Sequence, residues 1–209
     1  MQTTDIEIAG NVLKALSIFA AAKKDPRSFL QGVYVHKKGT KTVGVSTDGK
    51  ILGLSLSITS NLSKDDGVFI PVEMIKSLLK SGKGKWLEGS VFIRTDGDLT
   101  PGCEYRMTLS LGGHSVSSYV RGVDYVQYQK IIPKSLTKVY GSYDPDLLIR
   151  VRDAFTLATD LTELPLIGNG VNGAAVAYDE GAKWLSLIMP LSKKLGDEQP
   201  DTLPDIFNL

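Results

Sequence analysis

One cysteine, two histidines and no apolar run near the ~20 residues that span a bilayer: the chain is poor in the groups most chemistries need. Cys103 alone cannot close an internal disulfide, which fits a reducing compartment. No basic-then-apolar signal opens the sequence, so a cytoplasmic location is expected. His36 and His114 are the only histidines, each at a turn or strand end. They make no Cys/His spacing for zinc, and nothing near Cys103 suggests a Cys–His nucleophile. P-loop and G-x-S-x-G motifs are absent, and Gly168, Gly170 and Gly173 fall in a loop that does not open a helix. No catalytic residue, metal or cofactor is therefore expected. Net charge is also lacking, with 24 basic against 23 acidic residues, so only its distribution can bear on nucleic acid. The 209 residues, 42% of them hydrophobic, suffice for one sizeable core or two small ones.

What is present is a repeated pattern. Thr4–Ile8 alternates as a strand, and Asn11–Lys24 reads as a helix with Val12, Leu13, Leu16, Phe19 and Ala20 on one face, ended by Asp25-Pro26. A three-strand meander follows: Gly32–Val35, a lysine-rich turn His36–Lys41, Thr42–Val45, the Thr47-Asp48-Gly49 reversal and Ile51–Ile58. The unit restarts at Val68–Ile70, with Pro71 in the first turn of a helix carrying Val72, Ile75, Leu78 and Leu79 and stopping at Ser81-Gly82. Strands follow at Trp86–Thr95, Glu104–Leu111 and Ser115–Val120. A third start has Asp144 as N-cap, Pro145, and the stripe Leu148, Val151, Phe155 and Ala158. Its strands are short: Leu164–Ile167, Ala174–Tyr178 and Trp184–Met189. Strand–helix–strands thus recurs three times at roughly sixty residues. Two units make a two-layer α+β domain, so residues 1–137 form one complete domain and 138–195 a half-unit; 196–209 is an acidic tail.

The order L-x-G-V (Leu30–Val33), strand, turn, strand, T-D-G (Thr47–Gly49), K-x-L (Lys50–Leu52) resembles the bacterial sliding clamps, the β subunit of DNA polymerase III. Two later segments extend the resemblance. Tyr125–Pro133 (Y-V-Q-Y-Q-K-I-I-P) is similar to the clamps' F-P-D-Y-R-R-V-L-P, and Leu187-Ile188-Met189-Pro190-Leu191 to their closing V-V-M-P-M. Tyr143–Leu148 looks like the opening of the clamps' third domain. The resemblance implies an α+β DNA-clamp fold matching the second clamp domain and part of the third, with the first absent.

It also implies a function in binding. The family's partner pocket would have apolar walls from Leu30, Leu52, Val126, Ile131, Leu187, Met189, Pro190 and Leu191, with Thr47, Gly49, Lys50 and Lys130 at the rim. Val126 stands where the family has proline and Lys130 where it has arginine. Helices facing double-stranded DNA would offer Lys14, Lys23 and Lys24 from the first helix, Lys76, Lys80 and Lys83 from the second, and Arg150 and Arg152 from the third. A lysine stripe equally fits a solvated face. Implied partners are duplex DNA held non-specifically, peptide motifs of DNA polymerase and clamp loader, and further copies of the chain, with a tetramer completing twelve half-units. The alternative is a clamp relic that does not encircle DNA and acts as an interaction module or decoy for clamp-binding peptides. In the tail, Asp205-Ile206-Phe207 resembles part of a clamp-binding peptide, so the tail itself is a candidate pocket ligand.

Overall fold

The computed structural model describes residues 3–64, 66–81 and 89–191. In chain order the elements are β1 (Thr3–Ala9), α1 (Gly10–Phe19), β2 (Gly32–Lys38), β3 (Lys41–Thr47), β4 (Ile51–Ser60), β5 (Gly67–Pro71) and α2 (Val72–Ser81). Then follow β6 (Ser90–Gly97), β7 (Glu104–Leu111), β8 (His114–Arg121), α3 (Pro145–Thr159), β9 (Ala175–Asp179) and β10 (Trp184–Ile188). Single 3-10 turns occupy Ser28–Leu30 and Tyr128–Lys130.

All named strand pairs are antiparallel, in the order β5-β2-β3-β4-β1-β6-β7-β8. The strand–helix–meander unit is present twice, as β1-α1-β2-β3-β4 and β5-α2-β6-β7-β8. β4 is the branch point. Its first half pairs with β10 from Ile51↔Ile188 to Ser55↔Trp184, whereas its end pairs with β1 at Thr59 and Ser60. β9 extends the branch beyond β10. The architecture is α+β, with the helices layered on one face of an antiparallel sheet.

α1 buries Val12, Leu13, Leu16 and Phe19, each side chain stabilising the fold by ~1.5–3 kcal/mol at most, together with the smaller Ala15. It lies close on the sheet. A Cβ at Gly53 would come within 2.5 Å of the Phe19 ring, and one at Gly44 within 2.4 Å of Ile58. α2 presents Val72, Met74, Ile75, Leu78 and Leu79 to the core and keeps Lys76 and Lys80 exposed. The outer backbone edge of β5 is tied down by Tyr105 of β7. The Tyr105 hydroxyl accepts from the Phe69 amide at 3.0 Å and donates to the Phe69 carbonyl at 3.1 Å.

Several expectations need correction. The first helix ends at Phe19, not Lys24, because Ala20 is extended (φ −65°, ψ 149°) and the Ala21 amide donates to Leu30 O. Pro71 closes β5 instead of opening α2. Leu164–Ile167 is reduced to one bridge, Ile167↔Val176. α3 buries Leu147, Val151, Ala154, Phe155 and Ala158 among α1, β4 and β10. Its start is as read, with Pro145 in the first turn and the Asp144 side chain accepting from the Asp146 amide. Residues 86–88, Gly82, Lys83 and the tail lie outside the described residues. Among the described residues no helix is long and apolar enough to cross a membrane.

Candidate functional site

The Thr47–Lys50 turn is held from every side. Thr47 Oγ1 donates to Ile51 O at 2.6 Å and accepts from the Gly49 amide at 3.0 Å. Asp48 Oδ1 accepts from the amides of Lys50 (2.9 Å) and Ile51 (3.1 Å). Gly49 has φ +93°, a conformation few side chains tolerate, and so completes the reversal. Arg27 Nη2 reaches Asp48 O while its guanidinium grips Asp25, holding that carboxyl down at about 2. From α3, Arg150 donates to Asp48 Oδ2 at 2.7 Å and to Ile18 O at 2.6 Å.

β10 leaves the sheet beside this turn, where the Met189 amide donates to Lys50 O at 2.8 Å. One strand register sets Thr47, Leu52 and Leu187 side by side on β3, β4 and β10. Leu52 and Leu187 are fully buried and Leu30 is 2% exposed, so these three support the surface from below and offer no open wall. Met189, Leu191 and Ile131 stand out, at 36%, 50% and 41% exposure. Val126 and Pro190 are half-buried; Gly49, Lys50 and Lys130 are exposed. A cleft of about 630 Å³ opens here. From the expected set it takes in Lys130, Ile131 and Met189, and to these it adds Gln129, Asn169 and Ala174. Asn169 lies within the Gly168–Gly173 loop and Ala174 directly after it; the loop's glycines are no phosphate cradle, but its residues line this cleft.

The wall carrying Lys130 and Ile131 is anchored by an aromatic stack on β2. Tyr125 lies on Tyr34 (4.8 Å, 11°), Tyr34 on His36 (5.5 Å), and His36 meets Tyr128 edge-on. His36 Nδ1 faces Lys37 O, which can only accept, so Nε2 accepts from the Tyr128 hydroxyl at 2.9 Å. Burial pulls the His36 pKa down, and nearby Lys38 adds to this; burial pushes the Tyr128 hydroxyl up to about 12.

Among the described residues the basic groups of the helix layer divide: Lys14, Lys23, Lys24 and Lys80 have no ion pair, whereas Lys76, Arg150 and Arg152 do. Lys14 is half-buried on α1, and Lys23 and Lys24 lie exposed in the loop after it. Lys76 stands 3.6 Å from Glu73, and Arg152 pairs with Asp153 at 2.6 Å. Arg150 is taken up by Asp48. Cys103 and His114 sit at opposite ends of β7 and do not meet; the Asp98 carboxylate beside Cys103 raises its thiol pKa, which disfavours a thiolate.

No protein-family model and no curated protein sequence matches the chain. Solved structures do. The DNA polymerase III β subunit of Borrelia burgdorferi, in complex with a natural product, is 17% identical with a TM-score of 0.66, matching 91% of this chain and 63% of its own. The β subunit of Thermotoga maritima is 13% identical (TM-score 0.65, 91% and 66%). The sliding clamp of Pseudomonas aeruginosa with ligand is 15% identical (TM-score 0.62, 90% and 66%). The chain therefore has the fold of the bacterial DNA sliding clamps and spans a little under two thirds of their length.

Proposed function

We propose that this clamp-like chain is a processivity factor that associates with duplex DNA without reading sequence and holds short peptide motifs of replication proteins. The observation that carries the reading is the cleft between the Lys130–Ile131 wall and Met189 at the exit of β10, with the Met189 amide bonded to Lys50 of the neighbouring turn. Two segments that resemble clamp motifs, Tyr125–Pro133 and Leu187–Leu191, supply lining to this cleft, and a third, Leu30–Leu52, meets the second through the Lys50 carbonyl. Exposed Met189, Leu191 and Ile131 suit an apolar peptide side chain, and methionine adapts to more than one partner. DNA contact would come from Lys14, Lys76, Lys80 and Lys83, aided by Lys23 and Lys24, acting on phosphates alone. Partners of this kind, a DNA polymerase and a clamp loader, place the chain in the cytoplasm. Self-association would use the outer edge of β8, which has no strand partner among the described residues.

A second reading is favoured by the near balance of the helix face, where Arg150, Arg152 and Lys76 all have acidic neighbours. In it the chain binds clamp-motif peptides as an interaction module and does not encircle DNA. Titration of a labelled clamp-motif peptide tests the shared core of both readings. Ile131→Glu and Met189→Glu should each weaken binding by about tenfold or more while the thermal midpoint stays put, since both residues are surface-exposed. A wild-type chain with no affinity for the peptide would overturn both. Light scattering with and without duplex then separates them: a closed oligomer retained on DNA supports the first, a peptide-binding monomer the second.

A further inference from the structure

A second groove shares a wall with the cleft. Gln129, Ile132, Pro133 and Lys134 line both, so the Tyr128–Lys134 segment is a ridge with a depression on each side. The second depression, about 560 Å³, runs over the outer face of β3, β4 and β10. Its floor is Val43, Leu54, Leu56 and Leu185, with Leu54 and Leu185 opposite each other across the β4–β10 pair. Leu52 and Leu187, further along the same face, are fully buried, whereas Leu54, Leu56 and Leu185 are only half-buried. Leucine floor is thus left open at one end of the sheet face. Around it stand Lys38, Lys41 and Lys134, all exposed and none in an ion pair among the described residues. An apolar floor ringed by positive charge selects a ligand that is both acidic and apolar.

We propose that this groove holds the chain's own segment Asp197–Leu209. That stretch carries Asp197, Glu198, Asp201 and Asp205 with no basic residue, and supplies Leu203, Ile206, Phe207 and Leu209 for the floor. The connection is short. Leu191, the last described residue, is fixed by its amide donating to Ser142 O, just beyond the Met189 that lines the adjoining cleft. Twelve residues from there to Leu203 reach at most ~40 Å, ample for the far side of a single ridge. Tethering at this range gives an effective concentration on the order of millimolar, so modest intrinsic affinity fills the groove. A segment lying there abuts the ridge and competes with any ligand that must press on its other side. The groove assignment goes beyond the peptide reading and does not require it.

The test uses the full chain with a photo-crosslinker, p-benzoylphenylalanine, in place of the exposed Gln129 on the ridge. Irradiation followed by peptide mapping should join position 129 to residues 197–209 within one chain. Lys38→Glu with Lys41→Glu and Lys134→Glu should cut the yield about tenfold at low salt, and adding Asp197→Lys, Glu198→Lys and Asp201→Lys should restore it. Should the triple lysine variant fail to fold, raising NaCl from about 50 mM to about 500 mM on the parent chain must lower the yield in the same way. No cross-link into 197–209, or a yield indifferent to charge and salt, overturns the proposal. Cross-links found only between isotopically heavy and light copies assign the groove to a second chain and overturn it as stated. Clamp-motif peptide affinity, measured separately, reports on the proposed function and leaves this result untouched.

Discussion

Arg150 on α3 and Asp48 in the Thr47–Lys50 turn lie 102 residues apart in sequence and meet at 2.7 Å. The same guanidinium takes the carbonyl of Ile18 at 2.6 Å, one residue before α1 ends at Phe19. A single side chain therefore caps one helix, rides on another and steadies the turn beside the cleft. Arg150→Met should lower stability by about 1–3 kcal/mol in urea unfolding, toward the smaller figure because the arginine is a third exposed. It should also weaken peptide binding, whereas Arg152→Met, whose partner Asp153 is its chain neighbour, should leave both unchanged.

This contact also explains a misreading. Ala20, Ala21 and Ala22 are strong helix formers, and the local pattern extends the first helix through them. Local propensity contains no trace of Arg150 or of Leu30, whose carbonyl receives the Ala21 amide. By contrast, Asp144-Pro145 fixes the start of α3 from residues that touch, and it was legible. The repeated unit and the T-D-G turn could be read for the same reason, whereas Lys130 and Ile131 were implied only by the resemblance to the clamps. That β4 accepts β10 could not, since two alternating strands carry no label for each other. The cleft's Asn169 and Ala174 were invisible because they arrive through that long-range pairing.

A pH effect is expected from His36. Its folded pKa lies below the ordinary 6.5, chiefly through burial, so the unfolded chain binds the proton more readily. Stability should be level above about pH 7, fall as pH drops through 6.5, and level again below the depressed folded value. Protonation also turns Nε2 from acceptor to donor against the Tyr128 hydroxyl, loosening the ridge. Urea midpoints between about pH 7.5 and pH 5 should show this step in the parent chain and lose it in His36→Phe. A parent chain with no step removes His36 as its source.

Tyr105→Phe takes away one hydroxyl and strands two buried backbone groups, the amide and the carbonyl of Phe69. We expect a loss of about 1–3 kcal/mol in denaturant, large for a single oxygen atom. Hydrogen exchange at the Phe69 amide should quicken more than at Val68 or Ile70, whose backbone faces β2.

For duplex DNA, Lys76→Glu with Lys80→Glu and Lys83→Glu should abolish retention at low salt without changing the unfolding midpoint. The loss should be equal across unrelated DNA sequences, because phosphates carry no base information. In the parent chain the slope of log affinity against log salt should be about −2 to −4, since among the described residues Arg150, Arg152 and Lys76 are ion-paired and Lys14, Lys23, Lys24 and Lys80 are left for phosphates. A base-specific footprint would contradict the proposed function.

The branch at β4 has a consequence for how the protein is made. Its first half is bonded on one side only until Trp184–Ile188 has been synthesised, more than a hundred residues after β4 itself. At roughly 5–20 residues per second, a ribosome leaves that strand edge bare for about 6 to 25 seconds. Through that interval Leu52 and Leu54 face an empty lane, and any other nascent chain of the same kind can enter it. Slowing translation between residues 60 and 184 should therefore increase the fraction of product that emerges aggregated, and Leu54→Lys, at the half-buried position, should reduce it.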